Sequence, residues 1–191
     1  MKKLTIAILF AASAFSQAAP QPIFDGKTLA GWRIVGAQAW TVEEGMILGQ
    51  NDLKKKGSIL WTEKEYTNFV FQCAFKYEGK IDSGVFLRHE NDQIQIGISG
   101  SLKRDMTASP YIASKKEYPI EAKGVAELLK EGEWNTMKIT AVGAVYTVEL
   151  NGKEVMTYTS ETAKDKGPVG LQVHPGKEMK ILFRDITLEE R

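Results

Sequence analysis

The feature that most constrains this chain is alternation without helical periodicity. From residue 40 onward, apolar and polar side chains alternate in runs of five to nine residues, broken by Gly, Asn, Asp and Pro. The segment 125–130 is the one short helical candidate. Elsewhere the punctuation is that of tight turns. Asn151-Gly152 is the strongest hairpin signal, and Glu43-Glu44-Gly45 sets a second hairpin. Strands are expected at 40–42, 46–49, 69–77, 84–89, 93–98, 134–141, 145–150, 154–158, 169–173 and 179–188. Many short strands of even spacing specify an all-β sandwich or barrel.

Alternation also assigns faces. Ile94, Ile96 and Ile98 point to the core, which turns Gln93 and Gln95 outward. Val85 and Leu87 are core positions, leaving Phe86 and Arg88 opposite. Val169, Leu171 and Val173 leave Gln172 and His174 opposite. If these strands are neighbours, Arg88, Gln95, Gln172 and His174 share one polar floor. Amides both donate and accept, as sugar hydroxyls do, and aromatic faces stack on pyranose rings. Cys73 follows Phe69 and Phe71 on one side of its strand and is expected buried; as a lone cysteine it makes no internal disulfide. His89 points with Val85 and Leu87 and is expected to be structural, as are Trp32 and Trp134. Asp185 is expected to pair with Arg184.

The first residues read as a targeting segment. Lys2 and Lys3 precede an apolar run from Leu4 to Phe15, and Ser16-Gln17-Ala18 offers small residues to a signal peptidase. Cleavage after Ala18 would leave one domain, 19–191, in the periplasm or outside the cell. It would take the formal charge from +1 to −1. Neither value is a nucleic-acid footprint. The apolar run is too short for a membrane span, and the LKKK run (53–56) reads as a solvated loop.

The motifs FDGKTLAGW (24–32), ILWTEKEYTNFVFQCAFK (59–76), SGVFLR (83–88), QIQI (93–96), GEWNTMKI (132–139), LNGKEV (150–155) and GPVGLQVH…FRDI (167–186) follow one another in an order and spacing that resemble the 3-keto-disaccharide hydrolase domain family. The resemblance spans nearly all of the chain after residue 18. It implies a concanavalin-like jelly-roll β-sandwich of two antiparallel sheets. It also implies an exported enzyme cleaving glycosidic bonds of 3-keto-glycosides, with a functional link to a sugar 3-dehydrogenase that would supply the oxidised substrate. The alternative on the same fold is a non-catalytic carbohydrate-binding module, and a structural domain of a secreted assembly is a third.

The chain departs from the family pattern Y-E-x-Q-I-x-D, because Gln93 stands where many members have Glu, and Ile98–Ser99 where they have Asp. The loop SGSLKRDMTASPY (99–111) brings Lys103, Arg104 and Asp105, any of which could replace the lost group, and Tyr111, which could cover a sugar. The two-carboxylate pattern of jelly-roll glucanases, E-x-D-x-x-E, is matched only by Glu90-Asn91-Asp92-Gln93-Ile94-Gln95, which ends in Gln, so ordinary retaining chemistry is not expected. A 3-keto sugar allows another route. The ketone acidifies the neighbouring C–H, so one base, one donor for the enolate oxygen and one acid suffice. His174 suits the base or acid, histidine titrating near neutrality; the alternative is a cap on the turn at Pro175-Gly176. Arg88 suits the oxyanion, or an ion pair with Glu90 or Asp92. Glu63 follows Trp61 and could face the cleft, or be a plain surface carboxylate. Gln93, Gln95 and Gln172 would orient hydroxyls, or pair with one another. Two His and one Cys make no zinc site of usual spacing. A divalent cation such as calcium, held by loop oxygens, is a further expectation.

Overall fold

Two-residue turns decide the local geometry. At Glu44-Gly45 φ is 49° and 79°, and at Asn151-Gly152 it is 50° and 81°. Both residues of each turn are left-handed, which matches the twist of the strands they join. In the computed structural model, which describes residues 19–191, the chain forms fourteen strands and one short helix; the expected signal segment lies outside the described residues. The strands are β1 (Gln21–Pro22), β2 (Trp32–Gly36), β3 (Trp40–Glu43), β4 (Met46–Gln50), β5 (Ser58–Thr62), β6 (Phe69–Tyr77), β7 (Asp82–Leu87), β8 (Asp92–Gly97), β9 (Pro110–Ile112), β10 (Asn135–Val142), β11 (Val145–Leu150), β12 (Lys153–Thr159), β13 (Val169–Val173) and β14 (Lys180–Glu190). Helix α1 is a single turn, Val125–Leu128.

One sheet has the order β12-β11-β10-β6-β14-β4-β3, with β1 added on β14; the other has the order β2-β5-β13-β7-β8-β9. All pairings are antiparallel. The chain crosses between sheets at β1–β2, β2–β3, β4–β5, β5–β6, β6–β7, β9–β10, β12–β13 and β13–β14, which is the jelly-roll manner of closing two sheets over one core. The expected all-β sandwich of two antiparallel sheets is the observed fold.

The core is the set that alternation picks out. Phe69, Phe71, Cys73 and Phe75 of β6, with Met137 and Ile139 of β10 and Phe183 of β14, face Leu60, Val85, Leu87, Ile94, Ile96, Val169, Leu171 and Val173 of the second sheet. Each is essentially inaccessible to water. Burying one such side chain contributes about 1.5–3 kcal/mol. Burial alone pushes the Cys73 thiol up to about 12, so it is inert at neutral pH.

The GEWN motif is structural. Asn135 is buried; its Oδ1 accepts from the Lys130 and Asn151 side of the turn while its Nδ2 donates to the Lys130 and Glu133 carbonyls. The Arg184 guanidinium lies 4.1 Å from the centre of the Trp134 ring, and its Nε is 3.3 Å from Asp185. Trp32 is buried, whereas Trp134 is half-buried beneath that arginine.

Candidate functional site

β13, β7 and β8 are consecutive in the second sheet, so their outward side chains do form one floor. That floor is not open to solvent. All six residues of β7 and all six of β8 are buried; β9 extends the sheet beside β8, and residues of the segments before and after it stand around the outward face. What remains is a cleft of about 560 Å³, lined among others by Phe86, Gln93, Gln95, Tyr111, Gln172 and His174.

The amides are held in fixed positions. Gln93 Nε2 donates to Gln172 Oε1 at 2.7 Å, across the strand that separates them. Gly84 makes this crossing possible: a Cβ there would stand 2.6 Å from Gln93 Nε2 and 2.6 Å from the Ile94 carbonyl oxygen. The glycine of SGVFLR is thus required by the close approach of a side chain. Gln95 Nε2 donates to Asp82 Oδ1 at 2.9 Å. Phe86 packs on Trp61 with ring centres 5.6 Å apart, and Tyr111 packs on Tyr118 at 5.0 Å. Burial raises the Tyr118 hydroxyl to about 12, so it stays a donor at neutral pH.

His174 stands at the rim. Its Nδ1 is 2.7 Å from the Pro175 carbonyl oxygen. A carbonyl only accepts, so Nδ1 carries the proton and the Nε2 lone pair is left free. The turn that carries His174 is anchored by Asn51, whose Nδ2 donates to the His174 and Lys177 carbonyls and whose Oδ1 accepts from the Met179 amide. Gly176 N donates to Lys55 O, so the LKKK loop supports the rim through its backbone while its lysine side chains are exposed.

The structure brings together Phe86, Gln93, Gln95, Lys103, Tyr111, Gln172 and His174. Three expected site residues lie elsewhere. Arg88 is 3 % exposed and turned away from the cleft: φ is 66° there, just past the end of β7, so the alternation that governs the strand no longer applies. Its guanidinium donates to the carbonyls of Gly143, Lys164 and Ala141 and lies 5.6 Å from the Phe69 ring centre. It pairs with neither Glu90 nor Asp92. Glu63 is exposed and does not line the cleft. Asp105 lines a separate cavity beside Tyr77 and Glu131. Its carboxyl accepts from the Thr107 amide and hydroxyl, and burial pushes it above the usual carboxylate range. Arg104 is bound to Glu121 through both guanidinium nitrogens. His89 is half-buried, with Nε2 3.4 Å from Asp92.

Among the cleft residues outside the expected set are two that form an ion pair. Asp82 lies on the floor and Lys177 beside it, with Nζ 3.2 Å from Asp82 Oδ2. The signal for Asp82 was present: it shares parity with Gly84 and Phe86, so a strand begun two residues earlier would have placed it on this face. Among the described residues, no group of three or more His, Cys, Asp or Glu converges as a metal ion would require. Nor is any helix long and apolar enough to cross a membrane.

The fold recurs in solved structures. A candidate glycosyl hydrolase from Parabacteroides distasonis ATCC 8503 superposes with a TM-score of 0.69 at 18 % identity, over 90 % of this chain and 94 % of that one. A carbohydrate-binding module from Bacillus subtilis gives 0.60 at 16 % identity, over 84 % and 96 %. A Bacillus subtilis protein of unknown function with a galectin-like fold gives 0.62 at 12 % identity, over 92 % and 99 %. No curated protein matches the sequence. Residues 19–189, the whole two-sheet body with its amide-floored cleft, match one family description, and on that match the chain belongs to the 3-keto-alpha-glucoside-1,2-lyase-like domain family.

Proposed function

We propose that this protein is an exported enzyme that cleaves the glycosidic bond of 3-keto-glycosides in the cleft over β13, β7 and β8. The observation that carries the reading is the fixed row of amides, Gln95, Gln93 and Gln172, bounded by Phe86 and Tyr111 and ending at His174. The amides would read hydroxyls and the aromatic faces would take the apolar face of the ring.

The ketone makes the hydrogen on the carbon between it and the anomeric centre acidic. Removal of that proton leaves an enolate. Re-formation of the carbonyl then pushes the electron pair toward the anomeric carbon, and its bond to the aglycone oxygen breaks. Addition of water to the resulting double bond gives net hydrolysis. Substrate would come from an enzyme that oxidises the 3-hydroxyl of a sugar, such as a sugar 3-dehydrogenase. His174, with Nε2 free, is the proton-exchanging group at the rim.

A second reading, a binding module without chemistry, is favoured by one observation. Gln93 stands where many family members carry Glu, and its amide is satisfied by Gln172. One experiment separates the two. The protein from residue 19 onward is incubated with a chromogenic glucoside and with its 3-keto form, each with and without a chelator. Release from the keto form alone supports the enzyme, and chelator sensitivity would reveal a bound cation. The His174→Ala variant should then lose about 100-fold or more in turnover. No release from either substrate, with measurable glycan binding weakened by His174→Ala, would establish the binding module instead.

A further inference from the structure

The cleft needs a group to take the carbon-bound proton, and Gln93 cannot be it, because an amide has no basic lone pair at neutral pH. Two carboxylates line the cleft, Glu90 and Asp82. Glu90 is exposed on the turn between β7 and β8. Asp82 is 4 % exposed and sits on the floor, one oxygen held by Gln95 Nε2 at 2.9 Å. Its other oxygen, Oδ2, is buried and takes no hydrogen bond; the Lys177 ammonium stands 3.2 Å away as an ion pair. The partner of Oδ2 is a charge rather than a well-aligned hydrogen bond, so Oδ2 is the oxygen with capacity left for a proton. Leu171 of β13 pairs with Val85 of β7. His174 follows the end of β13 and Asp82 opens β7, and both line the cleft.

We propose that Asp82, paired with Lys177, is the base of this cleft and takes over the carboxylate role that Gln93 cannot perform. The assignment rests on the keto-glycoside reading above. Asp82 Oδ2 takes the proton from the carbon between the ketone and the anomeric centre. The C–H electron pair becomes the enolate, whose oxygen the Lys177 ammonium stabilises as it leaves Oδ2. The carbonyl re-forms, the anomeric C–O bond breaks, and the aglycone oxygen departs with the Nε2 proton of His174, which enters the cycle as the imidazolium, protonated on both ring nitrogens. In the return half, neutral His174 takes a proton from water, the hydroxide adds to the anomeric carbon, and protonated Asp82 returns its proton to the adjacent carbon. Both groups end as they began.

The test is steady-state kinetics on the 3-keto chromogenic glycoside across pH. Asp82→Asn keeps the shape and the acceptor for Gln95. It should lower kcat by about 100-fold or more while KM stays within about threefold, and it should remove the acid limb of the pH profile. An Asp82→Asn variant within about threefold of wild-type kcat overturns the assignment while leaving the keto-glycoside reading intact. A wild-type protein inert on the keto substrate overturns both. If Asp82→Asn does not fold, Lys177→Met serves instead: kcat should fall about tenfold or more and the pH optimum should rise, and an unchanged kcat and profile would overturn the pairing.

Discussion

Asp92 offers the sharpest test of what holds the two sheets together beside the cleft. It opens β8 and has no accessible surface. Its Oδ2 accepts from Tyr146 Oη at 2.9 Å and Ser160 Oγ at 2.5 Å; its Oδ1 accepts from Thr162 Oγ1 at 2.5 Å and Asn91 Nδ2 at 2.9 Å. Tyr146 belongs to β11 of the opposite sheet, so one carboxylate joins β8, β11 and the segment after β12. Burial pushes this carboxyl up, but the hydrogen bonds from Ser160, Thr162, Asn91 and Tyr146 outweigh it and the net shift is downward. In Asp92→Asn one oxygen becomes an amino group facing two former donors. Hydrogen bonds to a charged acceptor contribute about 1.5–3 kcal/mol each. Two are lost, and rotation of a hydroxyl recovers part, so the expected cost at pH 7 is about 3 kcal/mol. For a domain of this size that lowers Tm by roughly 6–12 °C.

The pH dependence fixes the cause. A depressed folded-state pKa means that the unfolded chain binds the proton more readily. The stabilisation by Asp92 is therefore full above the unfolded aspartate value of about 3.9 and is lost as pH falls through the lower folded value. His89 adds a coupled effect: burial, the largest cause, holds it below its usual value, and the Asp92 carboxylate 3.4 Å away partly offsets this, so acid costs stability from about pH 6.5 downward, and more in the variant, which lacks that anion. Urea unfolding of both proteins between pH 7 and pH 2.5 checks this. The gap in unfolding free energy should stay at least as large from pH 7 to about pH 5, widening if His89 protonates in that range, and should close toward pH 2.5. A gap of the same size at both ends would show that the variant is destabilised by shape rather than by charge, and no gap at pH 7 would refute the network outright.

Two further substitutions separate the site from its scaffold. Gly84→Ala places a Cβ 2.6 Å from the Ile94 carbonyl oxygen and from Gln93 Nε2. It should cost about 1–3 kcal/mol by overpacking and raise KM for a cleft ligand about tenfold by displacing the Gln93–Gln172 pair, as read by thermal melting and kinetics. Arg88→Met leaves the buried Ala141 carbonyl and the carbonyls of Gly143 and Lys164 without their donor and should cost about 2–4 kcal/mol. The folded fraction should keep kcat within about twofold, since the guanidinium does not line the cleft.

The parts of the fold that were legible in the sequence are those set by local physics. The Glu44-Gly45 and Asn151-Gly152 turns, the aromatic side of β6 and the outward parity of Gln93, Gln95, Gln172 and His174 all follow from φ preferences and the two-residue repeat of a strand. Strands β1, β2, β5 and β9 lie outside the expected set. In β5, Ser58, Leu60, Trp61 and Thr62 are all buried, because Trp61 turns outward onto Phe86. A strand covered on both faces has no alternation to read.

The site was legible only as far as strand parity reaches. Arg88 was misplaced by carrying alternation one residue beyond the end of β7, through a left-handed residue that reverses its direction. Asp82 was passed over because Gly79–Ser83 has turn composition, although the sheet extends to Asp82, which pairs with Gly97. Lys177 and Asp105 lie on loops whose paths are set at a distance, Lys177 by Asn51 more than a hundred residues earlier in the chain, Asp105 by the bridge to Ile98. No local pattern encodes such contacts. Strand parity therefore supplies the amides of the floor, whereas the charges that would do chemistry are supplied by a strand end and a turn. That division lets a chain with Gln at position 93 of β8 hold a carboxylate, Asp82, on the same floor. The floor is common to three adjacent strands, and Asp82 reaches it from β7, two residues before the glycine that lets Gln93 cross.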